Sequence, residues 1–234
     1  MADLSPMMKQ YFQIKEQNPD TLLFFRLGDF YEMFFDDAKL ASKELELTLT
    51  GRDCGQEERA PMCGVPFHSA ETYIARLVAK GYKVAICEQM ENPALAKGLV
   101  KRGIVRIITP GTVMESSMLD ETKNNFLCSL CIQDRKAGVA FADISTGELH
   151  ATCLQGASAA DLQRQLKNEL SRFSPREILI NTQVLDYEGL AQFVREKLSA
   201  MLECMDEQAF SPELCESLEM CIRDRFWDIS AAFI

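Results

Sequence analysis

One stretch near the N-terminus constrains the fold more than any other: Leu22-Leu23-Phe24-Phe25-Arg26-Leu27, then Gly28-Asp29, then Phe30-Tyr31-Glu32-Met33-Phe34-Phe35. The leading apolar run is too short to span a membrane and reads as a buried strand. Gly28-Asp29 reads as a turn, and an aromatic run with one carboxylate inside it follows. If Phe30 to Glu32 is extended, the two-residue period of a strand puts Phe30 and Glu32 on one face and Tyr31 on the other. A phenyl ring and a carboxylate would then point the same way, past the turn.

Two readings of that pair stand side by side. In the first, Phe30, Tyr31, Phe34 and Phe35 are core and Glu32 is a solvated strand residue. In the second, the ring wedges between base steps of a nucleic acid while the carboxylate meets a hydrogen-bond donor on a base edge. A carboxylate repels phosphate, so simple backbone binding does not explain it.

At 234 residues the chain suits one large or two modest domains, and its 47% hydrophobic composition is that of a globular protein. No run of roughly eighteen apolar residues appears, and Met1 to Pro6 lacks a basic region followed by an apolar one, so a soluble, cytoplasmic protein is expected. Nine cysteines, an odd number, read as reduced thiols that mostly serve as small core residues. Cys128-x-x-Cys131 lies in a strand-like run where positions three apart face opposite ways, and no second Cys/His pair has suitable spacing, so no metal site is expected.

The net charge of −10 is unevenly distributed: residues 1–112 carry 14 Lys and Arg against 15 Asp and Glu, leaving 11 against 20 for the remainder. Within the first half, residues 76–106 hold Arg76, Lys80, Lys83, Lys97, Lys101, Arg102 and Arg106 against Glu88 and Glu91. That stretch reads either as a phosphate-facing surface or as an ordinary solvated one. Arg76, Lys80 and Arg106 are the candidates for DNA-backbone contacts, the first two lying four apart on one helix face.

Taken in order, Ser5-Pro6 starts a helix with Met8, Tyr11, Phe12 and Lys15 as its stripe, stopped at Asn18-Pro19. Helices are expected at Asp36 to Leu45 and after Ser69, the second buried through Tyr73, Ile74, Leu77 and Val78 and ended by Gly81. Extended segments are expected at Leu47 to Thr50, Met62 to Pro66, Lys83 to Cys87 and Val100 to Thr109. Gly51 to Arg59 reads as a loop, and Asn92 to Lys97 as a loop or a short turn of helix. The domains follow: 1–112 a mixed-sheet α/β domain, 113–124 a polar linker, 125–219 a second α/β domain.

That second domain opens with strands at Phe126 to Gln133, Gly138 to Ile144 and Glu148 to Leu154. A helix at Ala159 to Ser171, a strand at Glu177 to Ile180 and a helix from about Gly189 come next. Three hairpin-linked strands followed by alternating helix and strand is the order of ribonuclease H-like folds. A nuclease of that fold needs a carboxylate inside its first strand, and Phe126 to Ile132 has none; Asp143 and Glu148 read as turn and loop chemistry. There is no Gly-x-x-x-x-Gly-Lys-[Ser/Thr] loop, no Gly-x-Gly-x-x-Gly, and only two histidines, His68 and His150, so no catalytic residue is assigned.

Gly28 to Ala38 resembles the mismatch-recognition segment of the MutS family of bacterial DNA mismatch repair proteins. The likeness continues through Ala60-Pro61-Met62-Cys63-Gly64-Val65-Pro66-Phe67-His68, Val84 to Gln89, Arg106 to Thr112 and Asp143-Ile144-Ser145-Thr146-Gly147-Glu148, in order, over about residues 5 to 215. The resemblance implies a mismatch-binding domain followed by a ribonuclease H-like connector domain. It implies that Phe30 stacks on the mispaired base and Glu32 bonds to it. Mismatched double-stranded DNA and the protein MutL are the implied partners, with homodimerisation, ATP and magnesium belonging to regions of longer family members. The alternative function is a protein-interaction scaffold acting through the acidic connector. The connector reads as truncated. Residues 220–234, with Cys221-Ile222-Arg223-Asp224-Arg225-Phe226-Trp227, match nothing expected of the family and read as a non-native tail.

Overall fold

The computed structural model describes residues 4–91, 98–211 and 213. The loop expected at 92–97, the tail at 220–234 and the end of the second domain from 214 lie outside the described residues. The chain divides into two compact units, residues 1–120 and 121–234.

The first unit begins with α1 (Pro6–Gln17), where the Ser5 hydroxyl accepts the Met8 N–H and Pro6 occupies the first turn. β1 (Leu22–Leu27) and β2 (Phe30–Phe34) form an antiparallel hairpin around Gly28-Asp29, and α2 (Phe35–Leu45) follows without a break. Asp36 and Asp37 sit in the first turn of α2, where a carboxylate meets unpaired N–H groups and the positive end of the helix dipole. Then come β3 (Thr50–Arg52), β4 (Ala60–Pro66), α3 (Ala70–Ala79), β5 (Val84–Gln89) and β6 (Arg102–Ile108).

Their six strands run β3-β4-β2-β1-β5-β6, with β1 and β5 parallel and every other pair antiparallel. Leu22, Phe24, Tyr31, Met33, Cys63, Val65, Val84 and Ile86 form one core with α2 and α3. Leu23, Phe25, Phe34, Ala85 and Cys87 form another with Met8 and Tyr11 of α1. A sheet covered on both faces explains why β1 opens with four consecutive buried apolar residues, Leu22 to Phe25, rather than alternating.

The strand expected at 47–50 lies instead at β3, because Thr50, Gly51 and Arg52 pair with Met62, Pro61 and Ala60. Nor is 113–124 a free linker at its start: Val113 is buried in the first unit's core, and Met118 and Leu119 pack against it. Apolar contacts and the polar contacts of Glu115 with Arg106 and of Ser117 with Glu71 together hold the segment down.

The second unit contains β7 (Phe126–Gln133), β8 (Lys136–Asp143), β9 (Glu148–Gln155), α4 (Ala159–Phe173), β10 (Glu177–Ile180), α5 (Leu190–Phe193) with a π-type turn at Val194–Leu198, and β11 (Met201–Cys204). The sheet order is β11-β10-β7-β8-β9, with β7, β8 and β9 an antiparallel meander and β10 parallel to both β7 and β11. Alternate residues of β7, namely Phe126, Cys128, Leu130 and Ile132, meet Leu162, Leu166 and Leu170 of α4, spaced four apart on one helix face. The architecture is α/β in both units, each with a mixed sheet. Among the described residues no helix is long and apolar enough to cross a membrane.

Candidate nucleic-acid interface

The hairpin between β1 and β2 is closed by two residues, with Leu27 opposite Phe30. Gly28 is the first of the two and has φ +56°, the left-handed conformation that a tight hairpin turn demands there and that glycine adopts without strain. The turn is braced from both sides: Arg26 Nε donates to the Gly28 carbonyl at 2.6 Å, and the Phe67 N–H donates to the Asp29 carbonyl at 2.9 Å. Phe30 therefore sits at the very end of β2, opposite Pro66.

Strand periodicity then decides which side chains share a face. Phe34 lies four residues along on the same face, fully buried, its ring 5.1 Å edge-on to Tyr11 of α1. Phe30 lies beyond the reach of that core and is 47% exposed. Tyr31 points the other way, into the core under α2 and α3, and donates to Glu88; burial and that carboxylate push its pKa up to about 12, so it is a neutral donor. Phe67, 42% exposed, is a second ring at this end of the sheet, with the Arg26 guanidinium 3.7 Å from its centroid.

Glu32 is ion-paired with Arg52 of β3, which crosses β4 to reach it. Gly64 of β4 stands directly opposite Glu32, and a Cβ there would come within 3.4 Å of Glu32 Cγ and 3.2 Å of the Tyr31 carbonyl. The missing side chain leaves room for Glu32, and Arg52, opposite Ala60 on the same strand, reaches it from β3. Beside β1 on the same face, Arg102 of β6 is nearly buried. It donates to the Arg26 carbonyl at 2.7 Å and to Gln10 Oε1 at 3.0 Å, with its guanidinium 5.1 Å from the Phe25 ring centre. Burial, and more weakly the neighbouring Arg52, lowers the Arg102 pKa.

Arg76, Lys80 and Arg106 are not brought to this face. Arg76 belongs to α3, which packs on the Tyr31 side, Lys80 caps the C-terminus of that helix, and both turn to the C-terminus of α2. Arg76 donates to the Leu45 carbonyl at 3.4 Å, and Lys80 to the Glu44 carbonyl at 3.0 Å and its carboxylate at 2.7 Å. Arg106 stands opposite Ile86, which also faces the α2 and α3 core, and pairs with Glu115 while donating to the Thr112 carbonyl at 3.2 Å. Arg52 and Phe67 join this face although no sequence pattern marks either as a site residue. The strand that carries Arg52 shows only as Thr50-Gly51-Arg52, a short alternation hidden at the edge of a polar segment.

In the second unit Asp143 is 2% exposed and spent on its own turn and the chain beside it. It accepts from the Ser145 N–H at 2.9 Å, the Ser145 hydroxyl at 2.6 Å, the Thr146 N–H at 3.3 Å and the Asn125 N–H at 3.0 Å. Glu148 accepts from Asn124 and meets His150. Among the described residues no group of three or more His, Cys, Asp or Glu could hold a metal ion.

Comparison with known proteins extends these observations. Residues 5–117 match the family model described as MutS domain I, and residues 125–219 the one described as MutS domain II. A DNA mismatch repair protein MutS from Acetivibrio thermocellus is 54% identical over 213 residues, covering 91% of this chain and 24% of the relative. That from Ruminiclostridium cellulolyticum is 53% identical over 210 residues, covering 90% and 24%, and one from Clostridium botulinum is 60% identical over 181 residues, covering 77% and 19%. The chain thus spans about a quarter of the length of the first two curated relatives, 24% in each case.

Proposed function

This chain belongs to the MutS family, carrying its domains I and II, and we propose that its first unit binds double-stranded DNA at mispaired steps in DNA mismatch repair. Phe30 enters from the minor groove and stacks on the mispaired base, and Glu32 bonds to that base. Unstacking a step costs on the order of a few kcal/mol, less where pairing is already defective, so the wedge selects weak steps rather than a sequence. ATP hydrolysis and homodimerisation are proposed for the longer protein, and no catalytic residue is assigned here.

The observation that carries this reading is the Phe30 ring, 47% exposed at the free end of a strand whose other aromatics on both faces are buried, with Glu32 next to it on the same face. A phenyl group held out in water by a braced turn contributes little to the core and is available to another flat apolar surface. The test is fluorescence anisotropy of this chain with a G·T duplex and its matched control at low and moderate salt. A preference for the G·T duplex that disappears in Phe30→Ala, with weak salt-dependent binding remaining, is expected. A preference that survives the substitution overturns the wedge.

A second reading, a protein-interaction scaffold in the second unit that meets MutL, is favoured by the edge strand β9. Leu149 there is 68% exposed on the face away from α4, next to exposed Ile144. Leu149→Glu is expected to abolish association with MutL and leave DNA affinity unchanged; unaltered association removes β9 from that role.

A further inference from the structure

The pairing of Glu32 with Arg52 raises a difficulty for any base contact by that carboxylate. Glu32 is 13% exposed at its side chain and engaged by a guanidinium, while Arg52 is 37% exposed and reaches in from β3, near the edge of the sheet. Gly64 stands opposite Glu32 and Ala60 opposite Arg52, so the pair spans β4 diagonally, with Arg52 its more exposed member. On its other flank the nearby cation, Arg102, is anchored by the Arg26 carbonyl, Gln10 and the Val100 carbonyl, with Phe25 beneath it. Arg52 is therefore the partner that can move, and Arg102 the one that cannot. An ion pair of this partly exposed kind is weak, worth about 0.2–1 kcal/mol, so a stronger partner on either side can separate it.

We infer that Arg52 is a positioning residue for Glu32. In the DNA-free domain it holds the carboxylate neutralised across β4, and engagement of a mispair exchanges this one pair for two contacts, Glu32 to the base and Arg52 to a backbone phosphate. The inference rests on the reading of Glu32 given above. On a matched duplex the ring does not enter, Glu32 finds no base donor, and Arg52 stays on the carboxylate. The consequence is a difference in charge delivered to DNA. The mismatched complex recruits one guanidinium that the matched complex does not, and each phosphate neutralised on B-DNA steepens the dependence of log K on log salt by about 0.9.

The test measures that slope by anisotropy for this chain on G·T and matched duplexes. In the wild-type chain the G·T slope is expected to be steeper by about 1, so that the mismatch preference changes about eightfold over a tenfold change in salt. Arg52→Gln is expected to lower the G·T slope alone and make the two equal. Glu32→Gln releases Arg52 on every duplex and is expected to raise the matched slope to the G·T value, with tighter matched binding. Arg52→Lys keeps the charge and should retain most of the difference. Equal slopes in a wild-type chain that does prefer G·T overturn the role of Arg52, as does an Arg52→Gln variant that lowers both slopes alike, which would make Arg52 a simple phosphate contact. A wild-type chain with no preference for G·T overturns the mismatch reading beneath it.

Discussion

Glu32 and Asp143 are both carboxylates on strands of mixed sheets, one in each unit, yet their surroundings differ in kind. Asp143 takes the donors of its own turn, Ser145 and Thr146, and the Asn125 N–H just before β7. Glu32 takes a guanidinium from two strands away, across β4. A carboxylate that closes its own turn is committed to the fold; one held by a half-exposed partner from the edge strand can change partners. The same contrast runs along β2, where Phe34 and Phe30 share a face but only Phe34 lies under α1.

The largest expected effect breaks that second contrast. Phe34→Ala removes a fully buried ring and should cost about 3–5 kcal/mol of the first unit's stability. Phe30→Ala, four residues away, should stay within about 0.5 kcal/mol of wild type, because much of the ring is already in water. Urea denaturation of both variants decides it. Equal losses would mean that Phe30 is core and that the exposed ring is not set apart for a ligand.

Next in size is the carboxylate pair. Asp143→Ala leaves the Ser145 and Thr146 N–H groups without their acceptor and should cost about 2 kcal/mol, while Glu32→Gln leaves Arg52 to solvent and should cost under about 0.5 kcal/mol. The pH dependence sharpens the difference when Asp37 is added. Burial pushes the Asp143 pKa up, but the bonds from Ser145, Asn125 and Thr146 outweigh it and leave the carboxyl below its usual value. Its contribution is thus present above the unfolded-state pKa of about 3.9 and is lost as pH falls through the lower folded value. Asp37 is the opposite case. Burial dominates over the bonds from the Leu23 N–H and Lys15 and raises its pKa, so the folded state gains as pH falls through that raised value. In urea titrations between neutral pH and pH ~3, the deficit of Asp143→Asn should shrink toward acid and that of Asp37→Asn should grow. Parallel trends would remove the distinction.

How much of this was legible beforehand follows from what a linear pattern encodes. Alternation along Phe30 to Phe34 gives the faces of β2, and the fourfold spacing of Leu162, Leu166 and Leu170 gives the packed face of α4. Both are local geometry. Arg52 was not legible, because its partner lies 20 residues away and meets it only through the pairing of β2, β3 and β4. β11 went unseen for a similar reason: Met201 to Cys204 is too short to show a period and is fixed by pairing with β10. Charge along residues 76–106 was visible, but a run of Lys and Arg carries no information about which side of a sheet each will occupy.

The smallest expected effect tests that last point. Lys80 is a cation at the C-terminal end of α2, donating to the Glu44 carbonyl, where the unpaired carbonyls of a helix favour positive charge. It caps α3, against the core that Tyr31 enters, whereas Phe30 and Glu32 occupy the other face. Lys80→Glu should therefore lower Tm by no more than about 5 °C and leave the salt slope of DNA binding where it was. A charge reversal at a phosphate contact would instead flatten that slope by about 1 or more. Such a result would bring α3 into the DNA surface and require that surface to include both faces of the sheet, undoing the separation on which the contrast between Phe30 and the rest of the first unit depends.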